Sequence, residues 1–166
     1  QCDIVFVTSQ ALQDKCQPFN AATHYFPNVV DSEHFGNARA PGDLPADLAC
    51  IPSPRIAYIG ALSDFKVDFE LIYCAAIARP QWHWILIGEE REGQRSEQVS
   101  RFKALNNVHL MGYKPYADLP NYLRGMNVGS LPTLINDYTK FMFPMKYFEY
   151  LAAGVPVVST PLDFTK

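Results

Sequence analysis

The chain lacks any hydrophobic run approaching the roughly 20 residues that a membrane-crossing helix needs, so no span is expected within it. It has no stripe of Lys or Arg. Fourteen basic residues against 17 acidic ones leave a net charge of −3, which excludes the basic footprint of a nucleic-acid-binding surface. Charge is sparse, at 19% of 166 residues against 48% apolar, which excludes a disordered chain and predicts a sizeable core. There is no CxxC pair. Cys2, Cys16, Cys50 and Cys74 lie far apart, so zinc is not expected and a reduced, cytoplasmic setting is the simplest account. Cys74 falls in a helical apolar pattern and reads as a small core residue. His24, His34, His83 and His109 show no metal-ligand spacing and read as structural. Neither a P-loop nor a nucleophilic triad can be assembled. The chain carries no initiator Met and no signal peptide, opens on the strand-like "CDIVFVTS" and closes just after another strand. Both ends are therefore expected to be cut from a longer protein.

What is present is regular alternation. "DIVFVTS" (3–9) reads as a buried strand and "QALQDKCQPF" as a helix capped by Ser9; 23–35 reads as a short strand followed by an Asn/Asp-rich turn. Residues 36–54 are rich in Pro, Gly and Ala without periodicity, and read as a linker. Beyond them come "RIAYIG" (55–60), a helix at 68–78, "HWILIG" (83–88), a helix at 95–105, "NVHLMG" (107–112), a helix at 116–126, "NVGSLPT" (127–133), a helix at 144–154 and "VPVVST" (155–160). Strands alternating with short helices predict an α/β fold, a Rossmann-like doubly wound parallel sheet with right-handed crossovers. The expected division is 1–35 as the end of a preceding domain or an interdomain segment, 36–54 as linker, and 55–166 as the Rossmann-like domain, cut short at its C-terminus.

Three predicted strands end on glycine, at Gly60, Gly88 and Gly112. Ligands of doubly wound sheets bind outside the carboxyl ends of the strands, where glycine lets backbone approach them closely. Two stretches carry candidate chemistry beside those ends. In "GALSDFKVDFELI", Lys66 precedes a helix, and a lysine beside free helix amides suits phosphate; it equally suits an exposed loop. In "FPMKYFEYLAAGVPVVST", Pro144 opens a helix with no capping side chain at Phe143, so its first amides lack a partner. Lys146 and Glu149 share one face of that helix, with Met145, Phe148 and Ala152 as the expected core stripe. A carboxylate there suits paired sugar hydroxyls, whereas the same spacing also makes a solvated surface ion pair. In the loop "LINDYTK" (134–140), Asn136 and Thr139 read as ligand contacts or as turn residues, and the charged loop 88–97 as solvated surface.

Taken in order, "VTSQAL…YFPNVVD", "YIGALSDFKVDFELI", "WILIGEE", "VHLMGYKPYADLPNYLRGMNVGSLP" and "PMKYFEYLAAGVPVVST" resemble the donor-nucleotide half of family 4-type retaining glycosyltransferases of the GT-B fold, across roughly residues 3–162. The resemblance implies a nucleotide-diphospho-sugar donor of unspecified base, with Gly60 at the first strand end and Lys66 on the diphosphate. It implies a base-contacting turn at Gly112 and Tyr113, Glu149 on the ribose hydroxyls, Pro144 opening the helix beside the phosphates, Lys146 as a second cation, and Thr139 among the donor contacts. It also implies no metal and no cofactor, and a sugar or lipid-linked acceptor held by a further N-terminal domain. With these go peripheral membrane association of the full-length enzyme at the cytoplasmic face, and no transfer by this chain alone. Three departures stand out: Ala61 where the family often has Arg, Asn28-Val29-Val30-Asp31 for its Asn-Gly-Val-Asp turn, and Phe141 where it has the first carboxylate of a Glu-x7-Glu pair. A nucleotide-sugar epimerase on the same fold and a non-enzymatic α/β binding module are the alternatives.

Overall fold

The computed structural model describes residues 2–90 and 96–162. An N-terminal βαβ unit comprises β1 (Val5–Val7), α1 (Gln10–Cys16) and β2 (Thr23–Tyr25), with β1 and β2 paired in parallel. Ser9 caps α1 as expected, accepting a hydrogen bond from the Leu12 amide. The expected turn after β2 instead contains a short helix, α2 (Ser32–Gly36), because Asp31 accepts from the His34 amide and starts it.

Residues 36–54 are irregular but packed. They hold a tight 3-10 turn (Asn37–Arg39) and α3 (Ala46–Ala49), and Ala38, Leu48 and Ile51 are buried in the core shared with the following sheet. Those apolar residues follow no single period, which is why the sequence pattern does not register them.

The main sheet has five parallel strands in the order β5-β4-β3-β6-β7. They are β3 (Arg55–Ile59), β4 (His83–Ile87), β5 (Val108–Gly112), β6 (Val128–Leu131) and β7 (Val157–Ser159). Side chains alternate across a strand, so one strand feeds two cores. Ala57, Ile59, Ile85 and Ile87 enter one core, with α6 (Leu119–Leu123), α7 (Met145–Ala152) and α2 against them. Ile56, Trp84 and Leu86 enter the other, under α4 (Phe69–Ala78) and α5 (Glu97–Arg101). On α4 the buried residues are Phe69, Ile72 and Ala76; Cys74 is exposed, so the core role expected for it is wrong. Of the helix expected at 95–105, α5 and a 3-10 turn (Phe102–Ala104) form, and Arg95 lies outside the described residues. The same holds for residues 91–94 of the charged loop.

β3 lies at the centre. The chain adds β4 and β5 on one side, then returns to add β6 and β7 on the other. The topological switch point therefore falls between the carboxyl ends of β3 and β6, where such sheets leave a crevice. The strand-end glycines extend the ladder into it. The Gly60 amide donates to the Ile87 carbonyl and the Gly88 amide to the Gly112 carbonyl, each at 2.9 Å. Gly88 has φ +143°, and a Cβ placed there would stand 1.9 Å from the Gly60 oxygen. Only glycine fits that junction.

Candidate functional site

The crevice at the switch point is open and built from fixed backbone. The β3–α4 loop is laced to the segment after β6: the Asp68 amide donates to the Pro132 carbonyl at 2.7 Å, and the Leu134 amide to the Lys66 carbonyl at 2.9 Å. Asn136 adds a side-chain bond to the Phe65 carbonyl. Lys66 is thereby pinned at its backbone while its ammonium lies over Phe65 and Tyr138, 5.2 and 5.3 Å from the ring centres. The sequence places Lys66 beside free amides of the following helix. The structure corrects this, since Asp68 already caps α4 by accepting from the Leu71 amide at 2.9 Å. Lys66 faces a cavity of about 500 Å³ instead.

Gly60, Lys66, Pro144, Lys146 and Glu149 all line that cavity, and Asn28 and Tyr116 join them. A second cavity of about 210 Å³ adjoins it across Gly60, Tyr116 and Lys146, and runs to Gly88, Glu89 and Tyr113. The larger volume is that of a small-molecule site. Gly112 lines neither cavity; it takes a positive φ (+67°) at the turn toward exposed Tyr113. Beside it Lys114 is anchored to α3 through Asp47 at 2.7 Å, and Asp47 also accepts from the Tyr122 hydroxyl.

Helix α7 supplies the charges. Pro144 occupies the N-cap itself, one place before the first-turn position expected, and no side chain caps the helix. Asn28 donates from its side-chain amide to the Phe143 carbonyl at 2.9 Å, tying the N-terminal unit to the helix start. Met145, Lys146 and Glu149 face the cavity, while Tyr150 and Ala153 enter the core. The predicted core stripe is thus misplaced in two of its three members: Met145 is exposed and Phe148 is half-buried, stacked on Phe143, while Ala152 packs against the core. Tyr150 is the anchor. Its hydroxyl accepts from the Ile59 amide at 2.9 Å, and its ring fills the space that Gly129 leaves open, where a Cβ would come within 2.6 Å.

Lys146 and Glu149 do pair, at 2.6 Å, but not as a solvated surface bridge. The Glu149 side chain is 3% exposed and that of Lys146 29%. A carboxylate so buried needs its counter-ion, and the site keeps one at the cavity wall. Nearby, burial first and then the charges of Glu149 and Asp31 push the Tyr116 hydroxyl above the usual tyrosine range. Tyr116 is held by His34, which stacks on its ring 4.4 Å between centres and hydrogen-bonds its carbonyl. Sequence reasoning passed over Tyr116 as a site residue and noted Asn28 only as part of a departing turn. The signal for Asn28 is a contact 115 positions away, which no local pattern carries.

Thr139 is not brought to the cavity. It is fully buried and closes its own loop, donating to the Leu134 carbonyl and accepting from the Asn136 amide at 2.9 Å. Phe141 lies in the same tight turn, between the ammonium groups of Lys15 and Lys140, 4.7 and 5.1 Å from its ring centre. Among the described residues no three His, Cys, Asp or Glu side chains cluster as a metal site, and no helix is long and apolar enough to cross a membrane.

A five-stranded parallel sheet with a crevice at its switch point defines a Rossmann-like α/β domain, and the solved structures that share its fold are GT-B glycosyltransferases. The chain belongs to the glycosyl transferases group 1 family, whose model matches residues 53–165. It is 34% identical over 111 residues to TuaH of Bacillus subtilis (strain 168), described as a glycosyltransferase of teichuronic acid biosynthesis; the match takes in 66% of this chain and 27% of that protein. The chain thus spans about a quarter of the length of that curated relative. Among solved structures it resembles Anabaena Alr3699/HepE, crystallised with UDP and glucose (TM-score 0.74, 21% identity, 97% of this chain and 45% of that one). It also resembles the sucrose-phosphate synthase of Thermosynechococcus elongatus (TM-score 0.71, 25% identity, 98% and 41%).

Proposed function

We propose that the larger cavity is the donor site of a family 4-type glycosyltransferase, which moves a sugar from a nucleotide diphosphate to an acceptor with retention of configuration. One observation carries the reading: two lysines, an uncapped helix start and a buried carboxylate from separated parts of the chain converge on a single cavity at the switch point. Lys66 and Lys146, with the first amides of α7, take the diphosphate, where cations and oriented amides favour the charge that builds as the glycosyl bond breaks. Glu149 takes the ribose hydroxyls, and the turn at Tyr113 lies alongside the base. Anabaena HepE, which shares the fold, has been crystallised with UDP and with UDP-glucose, and this supports UDP as the first nucleotide to test.

The acceptor is bound elsewhere in the whole protein, and this chain alone binds nucleotide without turnover. The test is a thermal-shift and calorimetric comparison of UDP, GDP and ADP against wild type, Lys66→Ala and Glu149→Ala. One nucleotide stabilises the wild type, and each substitution weakens its binding at least about tenfold, the scale of a lost charge-assisted contact. No binding by any nucleotide, or binding indifferent to both substitutions, overturns the reading.

A further inference from the structure

Among the described residues Lys146 is the charged residue that lines both cavities, and its ammonium is engaged by Glu149 at 2.6 Å. The two partners are unequal. Glu149 is almost wholly buried and takes the Lys146 hydrogen bond on Oε2, whereas Lys146 is a flexible side chain at the boundary between the cavities. A buried carboxylate that loses its counter-ion is expensive unless other donors replace it. An anion entering the cavity therefore competes with Glu149 for Lys146, and does so at a disadvantage.

We infer that the Lys146–Glu149 pair couples the two halves of the donor site: Glu149 holds Lys146 back from the diphosphate until hydroxyl groups arrive to replace it as the carboxylate's partner. This rests on the donor reading above and adds to it a rule of selectivity. A bare anion such as pyrophosphate or inorganic phosphate must draw Lys146 away from Glu149 without compensation. A ligand carrying a vicinal diol next to its diphosphate compensates Glu149 in the same event. The pair thus discriminates against free polyphosphates, even though these present at least as much negative charge as the donor.

The consequence runs against simple expectation. Removing the Glu149 charge strengthens pyrophosphate binding, by releasing Lys146. Plain Coulomb relief would do the same, so the test is a double-mutant cycle. Calorimetry measures pyrophosphate binding to wild type, Glu149→Gln, Lys146→Met and the double variant. Glu149→Gln binds at least about fivefold tighter than wild type, the lower end of site-to-site coupling. Lys146→Met binds more weakly, and in that background the Glu149→Gln gain disappears. A gain that persists without Lys146 overturns the inference, as does unchanged or weaker binding by Glu149→Gln, or no pyrophosphate binding by either protein. Should Glu149→Gln fail to fold, wild type labelled with 15N-lysine and 13C-glutamate decides the matter. Pyrophosphate then shifts the Lys146 Nζ and Glu149 Cδ signals together, and a shift at Lys146 alone refutes the hand-over. UDP titrated into wild type is the separate arm: its failure counts against a uridine donor and leaves the pyrophosphate cycle to be read by itself.

Discussion

Tyr150→Phe removes one oxygen from the middle of the molecule and leaves its volume almost intact. Tyr150 is completely buried, and its hydroxyl is the acceptor for the Ile59 amide at 2.9 Å. No neighbouring strand can take over, because β6 pairs with β3 only at Ile56 and Ala57 and has parted from it before Ile59. The variant therefore strands a buried backbone donor, which costs about 1–3 kcal/mol, rather than the smaller net worth of an exchangeable hydrogen bond. At roughly 2–4 °C per kcal/mol for a chain of this size, the midpoint of thermal unfolding falls by about 2–12 °C. Because Ile59 lines both cavities, nucleotide affinity falls with it. Differential scanning calorimetry of the two proteins measures the first effect and titration with nucleotide the second. An unchanged midpoint would refute the claim that this hydroxyl completes the sheet, and Tyr150→Leu, which also loses the ring against Gly129, must be worse than Tyr150→Phe.

Two further outcomes follow from the geometry. Gly88→Ala puts a methyl group 1.9 Å from the Gly60 oxygen at φ +143°, so it costs more than about 3 kcal/mol in clash and backbone strain; a soluble variant with wild-type chemical denaturation would contradict this. His83 and His109 share a hydrogen bond of 3.1 Å across β4 and β5, and burial followed by the neighbouring His83 charge lowers the pKa of His109. A histidine whose folded pKa is depressed adds stability above its unfolded value, about 6.5, and that stability is lost as the pH falls. Urea unfolding between pH 8 and pH 5 should accordingly show a shallower acid loss for His109→Gln, and equal slopes would exclude the pair as the cause.

Sheet and helices were legible because their signals are local. "HWILIG" and "RIAYIG" are apolar on both faces, since helices cover both faces of the strands they form. Ser9 announces its helix by capping chemistry. The same locality explains the misses. Phe148 and Met145 fit a helical apolar stripe, yet the stripe that faces the core is set by where α7 lies on the sheet, and Tyr150 fills it. The Lys66 assignment kept its residue and lost its reason, because Asp68 had already taken the helix end. Thr139 went to its own turn for the same cause: a short hydroxyl satisfies the nearest backbone first.

The sequence by itself determined the order of strands and helices, the glycine stops at the strand ends, and a Lys and a Glu on one helical face. Tertiary structure alone decided that Lys146 and Glu149 form a buried pair and not a solvated one, and that Lys66 and Asn28 meet them across one cavity. The physical reason is range. Propensity, capping and periodicity act over a few residues, whereas burial and convergence depend on which distant segments the sheet brings to its switch point.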